Sequence, residues 1–189
     1  TVTVTNNLSQ ASFILTGPTS RNGVGRWLQI TNAPPGQYVV TFGNVPYCFT
    51  PPSQTNTLAP GGTLVFNGVY SFPDANANGI SDLWEQAFFG GAAPTDDPDG
   101  DAASNYAEFM AGTNPTNSAS RLGLSVSKQP NNLIRLEWPA SPGRAYRLLS
   151  STNMTVWTPG EWTRASGSAM SSLLPAPQAP TFYRVEVQP

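Results

Sequence analysis

Two stretches of twelve residues, beginning 23 positions apart, set oxygen-bearing side chains at the same offsets. The first runs Asp74-Ala-Asn76-Ala-Asn78-Gly79-Ile80-Ser81-Asp82-Leu83-Trp84-Glu85. The second runs Asp97-Pro-Asp99-Gly-Asp101-Ala102-Ala103-Ser104-Asn105-Tyr106-Ala107-Glu108. In both, positions 1, 3, 5 and 9 hold Asp or Asn and position 12 holds Glu. A donor set made only of oxygens suits a hard cation, and calcium takes about six to eight of them. A carboxylate at position 12 can supply two at once, and a main-chain carbonyl at position 7 completes the shell. Gly79 stands at position 6, where the chain must turn sharply. Ala102 stands there in the second loop, and a left-handed alanine costs roughly 1 kcal/mol, so the second site is expected to be the weaker. The spacing predicts about two calcium ions.

Charge points the same way. Eight of the eleven acidic residues lie between Asp74 and Glu108, and no Lys or Arg occurs between Arg26 and Arg121. Carboxylates crowded without a basic partner repel one another unless a cation neutralises them. Tandem repetition of the full spacing also separates these loops from ordinary polar turns, which use Asp and Asn singly.

Several kinds of chemistry are excluded by composition. The chain has no His and one Cys, so a Cys–His zinc site, a Ser-His-Asp triad and a Cys–His pair cannot form within it. Cys48 lies in the apolar run Val45-Pro-Tyr-Cys-Phe49 and is expected to be a buried, inert thiol. Residues 1–72 carry two bases and no acid, and residues 121–189 carry seven bases and three acids. Neither is a basic stripe fit for nucleic acid. No apolar run is long enough to span a membrane. The chain starts at Thr1 without a signal peptide, as a mature processed chain would.

The elements that must position the loops are mainly β. Seventeen Gly and 19 Pro among 189 residues favour short strands and many turns. Three modules are expected: residues 1–72, 73–120 and 121–189, the outer two being small antiparallel β-sandwiches. In the first, strands are predicted at 1–5, 12–16, 26–31, 37–42 and 63–66, separated by turn residues such as Asn22-Gly23 and Pro34-Pro-Gly36. Trp27 and Tyr47 are expected to pack in the core, the alternative being exposed aromatics that bind sugar. The run Ala33-Pro-Pro-Gly-Gln-Tyr-Val-Val-Thr-Phe42, followed by Leu58-Ala-Pro-Gly-Gly-Thr-Leu-Val-Phe66, resembles the PEGA-type and carboxypeptidase-regulatory-like β domains of secreted bacterial proteins. That resemblance implies a spacer or carrier module without catalysis.

In the middle module a short helix is expected behind each loop, with Ser81 and Ser104 as N-caps and Gly90 and Gly112 as stops. Leu83, Ala87 and Phe88 are expected to form the packing face of the first helix, and Tyr106, Phe109 and Met110 that of the second. Pro73 and Pro94 keep a helix from preceding either loop. The unit is thus an EF-hand-like loop followed by a helix, and it resembles dockerins and thrombospondin type 3-like calcium repeats. The resemblance implies Asp74, Asn76, Asn78, Asp82 and Glu85 as ligands of one ion, with the Ile80 carbonyl. It implies Asp97, Asp99, Asp101, Asn105 and Glu108 for the other, with the Ala103 carbonyl. Dockerin loops end on aspartate and their helices carry partner-reading bases, whereas here the loops end on glutamate and the helices hold no base.

The last module has strands predicted at 122–126, 132–138, 145–149 and 182–187. Ile134, Leu136 and Trp138 share one face, and Arg135 and Glu137 the other. Tyr183, Val185 and Val187 oppose Arg184 and Glu186 in the same way. The run Leu136-Glu-Trp-Pro-Ala-Ser-Pro-Gly-Arg-Ala-Tyr146, with a terminal Phe-Tyr-Arg-Val, resembles fibronectin-III-like domains. Glu137 and Glu161 each adjoin a tryptophan, but no third polar group supports them as a glycosidase pair.

These features predict a non-enzymatic, calcium-stabilised extracellular or cell-surface structural protein of a secreted bacterial kind. Its partners would be other copies of itself or cell-surface components. Thr1-Val-Thr-Val-Thr5 alternates from the first residue, and is either an intramolecular edge strand or a strand added to a neighbouring subunit to build a filament. The alternatives are a non-catalytic accessory region of a secreted enzyme and a dockerin-like docking module.

Overall fold

The computed structural model describes residues 1–91 and 93–188. The chain is mainly β and divides into two compact units, Thr1–Gly91 and Ala92–Pro189. The first acidic loop belongs to the first unit and the second to the second, so the segment 73–120 is shared between them. Among the described residues no helix is long and apolar enough to cross a membrane.

The first unit has two sheets around one core. Strands β1 (Val2–Asn6), β4 (Trp27–Ile30) and β7 (Leu64–Gly68) form one sheet in the order β4-β1-β7. Strands β2 (Ser12–Thr16), β3 (Arg21–Val24), β5 (Gly36–Phe42) and β6 (Gln54–Leu58) form the other in the order β3-β2-β5-β6. Period-two alternation does the work: Phe13 and Leu15 from β2, Tyr38, Val40 and Phe42 from β5, and Leu64 and Phe66 from β7 all point inward. The N-terminal strand is neither an edge nor loose. It pairs antiparallel with β4 and parallel with β7, and buries both Val2 and Val4. The terminal ammonium donates to the Gly62 carbonyl at 2.8 Å.

Three further expectations fail in this unit. Trp27 lies on the edge strand β4 and is 61% exposed, outside the core. Cys48 is half-buried against the core rather than sealed within it. Asn22-Gly23 is no break but the middle of β3, paired with β2. Gly23 faces Phe13, and a Cβ there would stand 2.1 Å from the end of the Phe13 ring. Glycine is needed so that the ring can cover the neighbouring strand.

The second unit also has two sheets. Strands β8 (Ser125–Gln129), β9 (Leu133–Pro139) and β13 (Ala169–Pro175) lie in the order β13-β9-β8. Opposite them, β10 (Ala145–Ser151) pairs with β14 (Phe182–Gln188) and with two short pieces, β11 (Thr158–Pro159) and β12 (Thr163–Arg164). Leu136, Trp138, Tyr146 and Ala165 centre the core, with half-buried Met170, Leu174, Tyr183 and Val185 around them. The charged outer faces form ion pairs as expected: Arg135 with Glu137 at 3.7 Å, and Glu186 with Arg147 at 2.7 Å and Arg184 at 2.9 Å.

The packing face of a fully buried ring can be tested against its exposed neighbour on the same strand. Phe66→Ala is expected to cost about 3–5 kcal/mol in denaturant unfolding, whereas Val65→Ala, 56% exposed, should cost less than about 0.5 kcal/mol. Equal losses would contradict the register of β7.

Candidate metal centre

The two acidic loops make the same turn with different side chains. Position 1 accepts from the N–H groups of positions 5 and 6: Asp74 from Asn78 and Gly79, both at 2.9 Å, and Asp97 from Asp101 at 3.1 Å and Ala102 at 2.8 Å. Position 3 accepts from position 5, Asn76 at 3.2 Å and Asp99 at 3.3 Å. Position 5 accepts from position 7, Asn78 from Ile80 at 2.8 Å and Asp101 from Ala103 at 2.7 Å. These bonds draw the side chains of positions 1, 3 and 5 round one point, and ligand atoms of Asp97, Asp99 and Asp101 lie within 4.8 Å of one another.

Such a turn needs left-handed backbone at two places, positions 4 and 6. Ala77 and Gly79 have φ of 54° and 83°, and Gly100 and Ala102 have 76° and 71°. Each loop therefore has one glycine and one strained alanine, in opposite order. The penalty expected to mark the second loop as the weaker falls on both alike.

Helix α1 (Asp82–Phe88) follows the first loop and α2 (Asn105–Ala111) the second, each carrying its position-12 glutamate inward. The helix faces differ from expectation. Leu83 and Tyr106 are exposed, while Trp84 and Glu85 are buried in α1, and Asn105, Glu108 and Ala111 in α2. With two turns each, these helices are too short for periodicity to fix a face. Ser104 caps α2 by accepting from Ala107 at 3.3 Å, and Gly112 ends it at φ 73°. Ser81 does not cap α1 with its side chain; its hydroxyl donates to the Tyr47 carbonyl at 2.8 Å and ties the loop to the β-sandwich.

The second loop presents a set of oxygens that no described residue answers with a hydrogen bond. Asp99 Oδ2, Asp101 Oδ2, Asn105 Oδ1 and both Glu108 carboxylate oxygens are buried without a hydrogen-bond partner among the described residues. Glu108 is 0% exposed and Asn105 1%. Burying an unpaired polar atom costs about 1–3 kcal/mol, and more for a charge. These atoms belong to positions 3, 5, 9 and 12, so the donor set fits a hard divalent cation such as calcium. Burial pushes the Glu108 carboxyl up to about 7, with Asp99, Asp101 and Asp97 adding to the shift and the Thr113 hydroxyl opposing it. At Asp97 the balance is opposite. Desolvation raises its carboxyl, but the N–H groups of Ala102, Gly100 and Asp101, with the Asp99 side chain, bring it below its ordinary value.

In the first loop the same places are occupied differently. Glu85 receives Asn78 Nδ2 at 2.7 Å and Asn76 Nδ2 at 3.4 Å. Asp82 turns both oxygens to the Ala75 N–H at 3.2 and 3.0 Å, away from the role assigned to position 9. Ile80 and Ala103, assigned as carbonyl donors, have their N–H groups held by position 5.

Sequence reasoning missed the residues that seat these loops on the β-sandwiches. Arg144 donates to the Met110 carbonyl and, at 3.3 Å, to that of Phe109, while the Ser141 hydroxyl bonds the Ala111 carbonyl at 3.2 Å. A cation on the final carbonyls of α2 complements the negative end of a helix with no base of its own. Arg121 adds a bond to the Asp101 carbonyl at 3.3 Å. The only sequence signal was that absence of bases. Glu137 is paired on the outer face of β9 and Glu161 is exposed beyond β11, with no shared supporting group among their described contacts.

Two outcomes follow from this geometry. Ala77→Gly and Ala102→Gly should each strengthen calcium binding by up to roughly 1 kcal/mol, read by calorimetry; weakening in either would contradict the shared turn. The second concerns protein stripped of cations by chelator. Glu108 binds its proton more tightly in the fold, at about 7 against 4.5 unfolded. Its contribution is therefore full below pH 4.5 and lost as pH rises to about 7. Thermal melting of the chelated protein should fall over that window and recover with calcium. No protein-family model, curated protein or solved structure matches the chain.

Proposed function

We propose that the chain is a calcium-stabilised, non-enzymatic structural part of an extracellular protein. The observation that supports this most strongly is the set of five buried oxygens on Asp99, Asp101, Asn105 and Glu108 that lack a hydrogen-bond partner among the described residues. The same twelve-residue turn occurs in the first unit, tied to its β-sandwich through the Ser81 hydroxyl on the Tyr47 carbonyl. Each β unit thus carries one loop of this form, and the unanswered oxygens lie in the second. A shell of carboxylates and carbonyls of this kind works at the calcium levels found outside cells. Partners would be further copies or other cell-surface components, met through the folded β units, since β1 is committed inside its own sheet.

Calorimetry on chelator-stripped protein is expected to show about two calcium ions bound. Calcium should also raise the melting temperature. A protein with no binding heat and an unchanged melting temperature would refute the proposal.

A further inference from the structure

The two loops do not offer a cation the same atoms. At positions 3 and 5 the second loop has aspartates, each with two oxygens for two tasks. One oxygen accepts the N–H that forms the turn, Asp99 Oδ1 from Asp101 and Asp101 Oδ1 from Ala103. The other is buried without a partner among the described residues. The first loop has Asn76 and Asn78 there, and an amide has one oxygen only. That oxygen already accepts the N–H of Asn78 or Ile80, and the amide nitrogens stand toward Glu85. Turning the Asn78 amide over would set its NH2 against the Ile80 N–H, so its orientation is fixed by both contacts.

Position 9 repeats the contrast. Asn105 Nδ2 donates to the Ala93 carbonyl at 2.9 Å, which fixes the amide and leaves its buried oxygen without another partner. Asp82 holds the Ala75 N–H instead. The second loop sets four carboxylates among its assigned ligands (Asp97, Asp99, Asp101 and Glu108), against three in the first (Asp74, Asp82 and Glu85), of which Asp82 is held by the Ala75 N–H.

Resting on the calcium sites proposed above, we infer that the loops are graded. The second is the high-affinity site, filled first and structural. The first is a lower-affinity, calcium-responsive site, because an ion entering it must displace the Asn76 and Asn78 amides from Glu85. The ion must also share oxygens that the turn uses. Ligand charge and preorganisation tune loops of this type over orders of magnitude.

Calorimetric titration of the whole stripped chain tests the grading. Two phases separated by about tenfold or more in affinity are expected. Glu108→Gln should remove the tight phase and Glu85→Gln the weak one. Asn76→Asp combined with Asn78→Asp should strengthen the weak phase by about tenfold or more and leave the tight one in place. That double variant alters only exposed or half-exposed positions, so it decides the matter even if Glu108→Gln does not fold. Two equal phases in the parent, a tight phase lost with Glu85→Gln, or a weak phase unmoved by the double variant would each overturn the grading while calcium binding stands. No binding in any variant would overturn the calcium sites themselves.

Discussion

A buried carboxylate destabilises a fold unless something positive or hydrogen-bonding faces it, and Glu108 is fully buried with neither oxygen in a hydrogen bond of normal geometry among the described residues, the Thr113 hydroxyl being the polar group that acts on it. Three more acidic side chains stand at its side, and no base occurs in the chain from residue 27 to residue 120. Much of the second unit's design follows from holding that group in place. Gly112 ends α2 just beyond it, Arg144 and Ser141 grip the helix end, and Arg121 holds the carbonyl of Asp101. Those contacts fasten the short helix to the rest of its unit, and a cation bound at the loop, as proposed, would hold the same helix from its other end. A seven-residue helix has little stability of its own.

The repeat shows how one turn can be built from two chemistries. Both loops share backbone bonds at positions 1, 3 and 5 and both have left-handed residues at positions 4 and 6. Exchanging Asn for Asp at positions 3 and 5 leaves that scaffold unchanged. It replaces a second oxygen by an NH2 group, which donates to Glu85 where a carboxylate would have repelled it. The turn is therefore separable from the charge it collects, and charge is the quantity free to vary between the loops.

Much of this was legible in the sequence where one physical demand dominates. One-sided burial writes a period of two into β2, β5, β9 and β14, and the loop spacing brings Asp97, Asp99 and Asp101 together, though it did not show Asp82 turning to the Ala75 N–H. Elements without such a signature were not legible. β6 is Gln-Thr-Asn-Thr-Leu, with polar residues on both faces, and β13 mixes serines with leucines at an edge. β3 was hidden because Asn22-Gly23 has the composition of a turn, although the glycine is there for the Phe13 ring. The swap of glycine between positions 4 and 6 was equally invisible, since only backbone angles show that position 4 is left-handed too. Contacts such as Ser81 to Tyr47 and Arg144 to Met110 join residues more than 30 apart, a separation at which pattern gives no guidance.

The central claim is that a calcium ion answers the orphaned oxygens of Glu108 and its neighbours. Anomalous scattering from crystals grown with calcium locates that ion without reference to stability or heat. The account predicts a calcium peak about 2.3–2.6 Å from both Glu108 oxygens, with Asp97, Asp99 and Asp101 in the same shell. A map with no peak there, and with Glu108 hydrogen-bonded to protein or water instead, would contradict it.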